Sequence, residues 1–224
     1  MTSNKEDYLR ALYDLDGIEN YVTNKALAEK LGVQPASVSE MLSKLHGEGL
    51  LELRAYHGTR LTEKGMQACR DVVRSHELWE VFLQRHLGYS WWEAHEDAHL
   101  LEHIGSERMV DRLDEFLGHP KTCPHGGIIP QKGEPLQRPE NLVPLSQLEM
   151  GERATVSRIV EDKKLFDYLE DTGLVIGRDI TVIEKQDFEG PVTFLESGHS
   201  ITVSYKAAEM IYTERISETS GKGY

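Results

Sequence analysis

The chain has 224 residues and a formal net charge of −13 at pH 7, and 39% of its residues are hydrophobic. This length allows one large domain or two to three small ones. No apolar run approaches about 18 residues and the N-terminus is not basic and then apolar, so neither a membrane span nor a signal peptide is indicated. Cys69 and Cys123 fit a reducing compartment better than a disulfide framework. We therefore expect a cytoplasmic protein with no membrane partner.

The negative charge is unevenly distributed along the chain. Residues 1–74 contain ten Lys/Arg and eleven Asp/Glu, whereas the whole chain contains 25 and 38. A strongly acidic protein is not a general nucleic-acid binder. The nearly neutral first third nevertheless leaves room for a local nucleic-acid-binding module.

The pattern of that first third predicts a winged helix-turn-helix. A first helix opens at Ser3 and stops near Gly17. Thr23 caps a short second helix, and a turn at Gly32 leads to a third over residues 36–48. Two short strands with a turn at residues 56–58 then form the wing. An unrelated helical bundle is the alternative.

In a winged helix-turn-helix, the second helix of the pair lies in the major groove of double-stranded DNA. Its side chains here are of types that contact bases or phosphates. The candidates for DNA contact are Gln34, Ala36, Ser37, Ser39 and Glu40. Lys44 and Arg60 are placed to meet phosphates.

A histidine-rich segment lies in the middle of the chain. Ser90 and Glu93 form the sequence of a capping box, which predicts a helix beginning near Trp91. Residues three and four apart on a helix share a face. One face would therefore carry His95, His99, Glu102 and His103. A divalent cation would satisfy these groups together, and a solvated polar face is the alternative.

The stretch His95–His99 also matches the H-E-x-x-H pattern of zinc proteases, in which the glutamate, here Glu96, is the general base. Chance matches to so short a pattern are common. The extended form of the motif requires Gly and then His further on, where this chain has Glu102 and Gly105. The protease is therefore the weaker hypothesis, and we expect that the chain is not an enzyme.

Two further pairs have the chemistry of metal ligands. His76 and Glu80 stand four residues apart on a long predicted helix that ends near residue 86, and Cys123 and His125 stand two apart in a loop. A further amphipathic helix is predicted over residues 106–117, after the histidine-rich one. Helices this short and apolar on one side need a covering surface, which a symmetric dimer would provide.

The remaining chain predicts a linker and a small β domain. Proline and glycine recur over residues 126–144. Strands are expected at 153–160, 179–185, 192–196 and 200–204, with a helix at 163–170. We expect a mainly α protein with a winged helix-turn-helix domain (1–65), a helical metal-binding and dimerisation domain (66–125), the linker, a small SH3-like β-barrel (145–216) and a frayed tail (217–224).

Taken together, these motifs resemble the diphtheria-toxin-repressor family of metal-dependent transcriptional repressors. The likeness is to its manganese-transport-regulator branch with a C-terminal SH3-like domain. Four motifs carry it over nearly the whole chain: Asn4-Lys5-Glu6-Asp7-Tyr8-Leu9, the pair His76 and Glu80, Glu102-His103, and Pro120-Lys121-Thr122-Cys123-Pro124-His125-Gly126-Gly127.

The resemblance implies a homodimer that binds palindromic operators of metal-uptake genes when it is loaded with a divalent metal. It implies a primary site of Asp7, His99, Glu102 and His103. It implies a second site of His76, Glu80, Cys123, His125 and a carboxylate from the last domain, for which we choose Glu161 over Asp162. His95 is then a neighbour of the site rather than a ligand.

Position 99 departs from the family pattern. The manganese responders typically have Glu there and the iron responders commonly have Cys, whereas this chain has His99. We expect Mn²⁺ as the activating ion, Fe²⁺ as a second activator and Zn²⁺ as a competitor. A winged-helix regulator that senses a non-metal ligand remains the other alternative.

Overall fold

The computed structural model describes residues 1–137 and 141–216. The predicted tail, and residues 138–140 of the predicted linker, lie outside this part. The chain divides into two compact units. The first comprises Met1–Trp79, Asp97–Lys121 and Ile129–Gln137, and the second Glu80–Glu96, Thr122–Ile128 and Arg138–Tyr224. Among the described residues, no helix combines the length and apolar character needed to cross a membrane.

The helices of the described chain are α1 (Ser3–Asp14), α2 (Asn24–Leu31), α3 (Pro35–Gly47), α4 (Glu63–Leu87), α5 (Trp91–Leu101), α6 (Glu107–Phe116), α7 (Lys163–Glu170) and α8 (Tyr205–Met210). The strands are β1 (Leu51–Arg54), β2 (Gly58–Leu61), β3 (Leu142–Pro144), β4 (Arg153–Ile159), β5 (Asp179–Lys185), β6 (Val192–Glu196), β7 (His199–Val203) and β8 (Ile211–Arg215). A short 3-10 helix covers Leu145–Gln147.

The first unit contains the predicted winged helix-turn-helix. The Thr23 hydroxyl accepts a hydrogen bond from the Ala26 amide at 3.2 Å and caps α2. Gly32 ends α2 in the left-handed conformation at φ 65°, which favours glycine. Pro35 opens α3, where its missing N–H costs no helical hydrogen bond. Strands β1 and β2 pair antiparallel and form the wing.

One apolar core holds α1, α2 and α3 together. Its buried members are Tyr8, Leu9, Ala11, Leu12, Tyr13, Val22, Leu27, Ala28, Val38, Leu42, Leu45, Leu50, Leu51, Leu61, Cys69, Val73 and Leu136. Helices α1 and α3, the latter being the predicted DNA-reading helix, both contribute side chains to this core, so a displacement of α1 would reach α3 through packed side chains. Such close-packed interiors transmit strain.

The second unit is built on a six-stranded antiparallel sheet in the order β3-β8-β4-β5-β6-β7. The strands predicted from alternation are present as β4 to β7, and α7 lies where the sequence placed it. Strands β3 and β8 and helix α8 were not predicted. The sheet core includes Phe166 of α7, against which Trp91 and Trp92 pack.

Gly126 sets the position of the Cys123–His125 loop within this unit. A Cβ atom at Gly126 would lie 1.9 Å from the carbonyl oxygen of Ser157 on β4, and its φ is 89°. Only glycine tolerates both the contact and the backbone conformation. The Ile159 amide also donates to the carbonyl of His125 at 2.9 Å. The loop is therefore fixed against β4.

Candidate metal centres and reading helix

Three predicted ligands of the primary site converge in the first unit. Asp7, on α1, meets Glu102 and His103, which follow α5, and one donor atom from each lies within 4.8 Å of the others. Nε2 of His103 is 2.9 Å from a carboxylate oxygen of Asp7 and 3.2 Å from Oε1 of Glu102. This first cluster joins the N-terminal helix to the end of α5.

The other nitrogen of His103 is held by Glu6, which was not among the predicted site residues. Nδ1 of His103 donates to Oε2 of Glu6 at 2.7 Å. A carboxylate at one imidazole nitrogen fixes the ring and its tautomer and leaves the other nitrogen to face a metal. Glu6 precedes Asp7 directly in the sequence, and its role depends on the rotation of α1 against His103.

Two histidines surround Glu102, whose side chain is fully buried. Nδ1 of His76 donates to Oε2 of Glu102 at 2.6 Å. Nδ1 of His99 is 3.5 Å from Oε1 of Glu102, and the His76 and His99 rings meet edge to face at 4.7 Å. His99, expected as a ligand of the primary site, therefore lies beside the first cluster. His76, expected in the second set, contacts Glu102 of the first.

A buried cation stands next to this cluster. The Arg10 guanidinium of α1 has a side-chain exposure of 2% and lies 3.8 Å from carboxylate oxygens of both Glu77 and Glu102. Neither Arg10 nor Glu77 was a candidate from sequence. Their charges compensate one another in an environment where an isolated ion would be costly.

The ionisation of the cluster suits metal binding. Burial by itself raises the pKa of Glu102, but hydrogen bonds from His76 and His99 and the charge of Arg10 outweigh it, so the pKa lies well below its ordinary value. Burial lowers the pKa of His99, which favours the neutral, metal-binding imidazole. Burial also raises the pKa of Asp7, although His103 opposes this in part.

The second unit holds a second cluster. Donor atoms of Glu80, Cys123 and His125 lie within 4.8 Å of one another. Nε2 of His125 is 2.7 Å from Oε2 of Glu80 and 3.9 Å from Oε1 of Glu161. The Cys123 sulfur accepts a hydrogen bond from the Gly127 amide at 3.1 Å. Four of the five residues expected in the second set are thus found together.

His95 joins this second cluster. Its Nδ1 donates to Oε1 of Glu80 at 2.9 Å, and its Nε2 is 3.9 Å from Oε2 of Glu161. Glu80 therefore contacts two imidazoles at once. The helical spacing of the histidines singled out His95, and the family resemblance assigned it the place of a neighbour.

The donor chemistry of both clusters fits a divalent transition metal. The first offers two carboxylates and His103, with His99 alongside. The second offers a thiol, two imidazoles and two carboxylates. Carboxylate and imidazole donors suit manganese, iron and zinc, and a thiolate favours softer ions. Groups buried so closely are costly unless they are paired or coordinate a metal.

The predicted DNA-contacting side chains of α3 are exposed. These are Gln34, Ala36, Ser37, Ser39, Glu40 and Lys44. The hydroxyl of Ser39 accepts a hydrogen bond from the side-chain Nδ2 of Asn24 at 3.1 Å, which joins α2 to α3. The exposed face therefore belongs to a packed helix pair.

Arg60 of the wing is held by its neighbours. Its guanidinium bonds to a Glu52 carboxylate oxygen at 2.7–2.8 Å and lies 5.0 Å from the centroid of the Tyr21 ring. The Tyr21 hydroxyl also donates to Glu52, at 2.5 Å. This arrangement presents a half-buried cation at the edge of the wing.

A winged helix-turn-helix combined with buried metal-donor clusters defines the class of metal-dependent DNA-binding regulators. Three family models match consecutive parts of the chain. Residues 1–59 match the N-terminal DNA-binding domain of the iron-dependent repressors. Residues 62–131 match the metal-binding and dimerisation domain of the same repressors, and residues 143–215 match the FeoA domain.

Whole-chain relatives extend this agreement. The chain is 33% identical to the iron-dependent repressor IdeR of Mycobacterium tuberculosis, over 94% of this chain and 96% of that protein. It is 28% identical to the diphtheria toxin repressor of Corynebacterium glutamicum, over 94% and 96%. The chain belongs to this family of metal-dependent transcriptional repressors, which confirms the resemblance.

Solved structures of similar proteins include manganese repressors. A manganese-dependent transcriptional repressor in complex with manganese has a TM-score of 0.84 and 32% identity, over 94% of this chain and 99% of the other. The repressor ScaR with bound Zn²⁺ has a TM-score of 0.79 and 40% identity, over 95% and 100%. The predicted fold class, including the SH3-like C-terminal domain, is confirmed.

Proposed function

We propose that this protein is a metal(II)-activated repressor that binds palindromic operators of metal-uptake genes as a homodimer in the cytoplasm. One observation supports this function most directly. Asp7 on α1 meets Glu102 and His103 from the end of α5, and α1 packs in the same core as α3. An ion held by these residues would therefore fix the helix that supports the reading helix.

The primary site would be formed by Asp7, His99, Glu102 and His103. A bound ion supplies positive charge that the carboxylates and imidazoles share. Glu6 orients His103, and His76 holds Glu102 in place. Metal and operator would favour the same conformation, so each strengthens binding of the other by the same factor. Such coupling is usually about 1–3 kcal/mol, or roughly 5–150-fold.

A second site would use Glu80, Cys123, His125 and Glu161. His95 hydrogen-bonds Glu80 and orients it, with its own Nε2 facing Glu161. The contact between His76 and Glu102 favours the first site as the place of His76. The Gly127 amide would stabilise the Cys123 thiolate once a metal has displaced its proton.

Exposed apolar side chains support the homodimer. Four large apolar side chains are between 45% and 71% exposed, namely Leu100, Ile104, Met109 and Phe116. They lie at the end of α5, just after it and on α6, within the match to a dimerisation domain. Large exposed apolar side chains on neighbouring segments of the chain favour an interface. A two-fold dimer would place two α3 helices on a palindromic site.

Mn²⁺ is the proposed activator, with Fe²⁺ also active and Zn²⁺ as a competitor. Similar proteins include iron-dependent and manganese-dependent repressors and one solved with Zn²⁺. The two carboxylates of the first cluster favour Mn²⁺, whereas His99 and His103 also suit the later metals. Availability in the cell then selects the ion.

We propose no peptidase activity for the H-E-x-x-H segment. Glu96, which would be the general base, is exposed, and His95 is engaged with Glu80. Incubation of the zinc-loaded protein with unstructured casein should give no cleavage. Cleavage that Glu96→Ala abolishes would restore the protease hypothesis.

The test of the repressor function is DNA binding with and without metal. DNA selected from a random library by the manganese-loaded protein provides the operator. Chelator should release this DNA, and Glu102→Ala and His103→Ala should abolish metal-dependent binding in folded proteins. Glu107→Ala, which alters an exposed carboxylate of α6, is the matched control. Operator binding that chelator does not change would favour a regulator that senses a non-metal ligand.

A further inference from the structure

Three consecutive residues of α1 point to different parts of the first unit. Glu6 and Asp7 contact His103 of the first cluster. The residue before them, Lys5, contacts Glu48, which follows α3. Its ammonium nitrogen lies 2.5 Å from Oε1 and 2.7 Å from Oε2 of Glu48, so one lysine engages both carboxylate oxygens. The hydrogen bond from Lys5 lowers the pKa of Glu48, which keeps the carboxylate ionised.

Glu48 is the residue at which the reading helix ends. It is the C-cap of α3, and its amide donates to the carbonyl of Lys44 at 3.1 Å. Lys64, at the start of α4, donates to the backbone carbonyl of Glu48 at 2.8 Å. These two contacts use the backbone of Glu48, so a change of its side chain leaves them in place. The side-chain carboxylate of Glu48 makes the ion pair with Lys5 of α1.

We propose that the Lys5–Glu48 ion pair is the connection through which metal binding at α1 positions the reading helix α3. The inference rests on the proposed metal-activated function. Lys5 and Glu48 are positioning residues in this scheme, since neither contributes a donor atom to the first cluster. An ion that holds Asp7 would fix the start of α1. The ion pair of Lys5 with Glu48 would then hold the end of α3 in place relative to α1.

The size of the expected effect follows from exposure. The side chains of Lys5 and Glu48 are 15% and 40% exposed. An exposed ion pair changes an equilibrium constant by a factor of up to about five, and a pair with good geometry lies near the upper end of this range. The shared apolar core of α1 and α3, with Leu9, Leu12 and Leu42 among its members, also connects the two helices. Breaking the ion pair should therefore reduce the coupling without abolishing it.

The experiment measures a coupling factor, defined as the operator Kd in chelator divided by the operator Kd with saturating manganese. Lys5→Gln and Glu48→Gln remove the ion pair from either side, and Lys5→Glu combined with Glu48→Lys restores it in reverse. Because the factor is a ratio, a general change in attraction to DNA cancels. The matched control is Lys25→Gln and Glu29→Gln, which break an exposed ion pair on α2.

Each single variant should lower the coupling factor about threefold to fivefold. The reversed pair should return it to within twofold of wild type, and the control variants should leave it unchanged. Manganese affinity in the absence of DNA should stay within twofold of wild type, because no ligand is altered. Circular dichroism checks that every variant is folded.

Two results would overturn the proposal. One is a coupling factor within twofold of wild type in both single variants. The other is a loss in the single variants that the reversed pair does not recover. A wild-type coupling factor of one is a different outcome, since it removes the proposed metal-activated function itself.

Discussion

Glu6 accepts a hydrogen bond from Nδ1 of His103 at 2.7 Å, while Nε2 of the same ring faces Asp7 at 2.9 Å. Adjacent residues of α1 thus hold the two nitrogens of one imidazole. A metal at Nε2 would complete a carboxylate–histidine–metal arrangement, in which the outer carboxylate orients the ring and raises its basicity.

This relationship predicts a role for Glu6 in metal affinity. Glu6→Ala should weaken manganese binding by about 10–100-fold, the usual effect of losing such an outer partner. Glu6→Gln retains a hydrogen-bond acceptor and should lose less. Calorimetric titration measures both, with Glu29→Ala as the control on an exposed helix face. Equal affinities in Glu6→Ala and wild type would show that α5 alone orients His103.

Arg10 should stabilise the metal-free protein. Arg10→Met keeps most of the side-chain volume but leaves the buried carboxylates of Glu77 and Glu102 without their cation. Removing one partner of a buried ion pair costs about 3–5 kcal/mol. The loss should shrink when manganese is present, because the ion supplies charge beside Glu102. Urea unfolding in chelator and in manganese measures this difference.

The control for Arg10 is Arg112→Met, which removes a guanidinium from an exposed pair with Glu115. It should change stability little in either condition. If Arg10→Met destabilises the protein equally with and without manganese, Arg10 contributes packing and not charge compensation.

The identity of residue 99 should set the metal preference. His99 lies 3.5 Å from Glu102 and is 41% exposed, so a glutamate can replace it without filling a packed core. His99→Glu exchanges a nitrogen donor for oxygen, which should shift activation toward manganese over zinc. Anaerobic titrations of operator binding with manganese, iron(II) and zinc compare the two proteins. An unchanged ratio of manganese to zinc activation would mean that His99 does not ligate the ion.

Cys123 should contribute to metal stoichiometry. Cys123→Ser should lower the bound metal by one ion per chain and weaken operator binding less than Glu102→Ala does. Because the thiol must lose its proton to bind, second-site affinity should fall at acid pH. Cys69→Ser is the matched control, since Cys69 is buried in the core of the DNA-binding module. Equal stoichiometry in Cys123→Ser and wild type would make the thiol structural.

Arg60 should act on DNA phosphates. Arg60→Ala should weaken binding to all sequences and reduce the slope of log affinity against log salt by about 1, as the loss of one phosphate contact does. Salt titrations on operator and unrelated DNA measure the slope, with Arg112→Ala as a control remote in sequence from the wing. A loss confined to one base position would instead make Arg60 a base reader.

Local sequence determined much of this protein. The capping box of α5 is present as predicted, because the Ser90 amide donates to Glu93 at 2.9 Å and the Glu93 amide to the Ser90 hydroxyl at 3.3 Å. Such contacts join residues three positions apart, so the local sequence is sufficient to predict them. The same holds for the Thr23 cap and for the alternation of β5 and β6. Strand β8 was not predicted, and its partners, β3 and β4, are distant in sequence.

Tertiary structure decided the identity of the partners in each cluster. Helical spacing placed His76 and Glu80 on one face, and the fold adds a contact that spacing does not give: His76 donates to Glu102, 26 residues away. Arg10 was not a candidate from the sequence, and packing buries it to 1% exposure beside two carboxylates. Periodicity gives the face of a helix, but the rotation of that helix against its neighbours selects which donors meet.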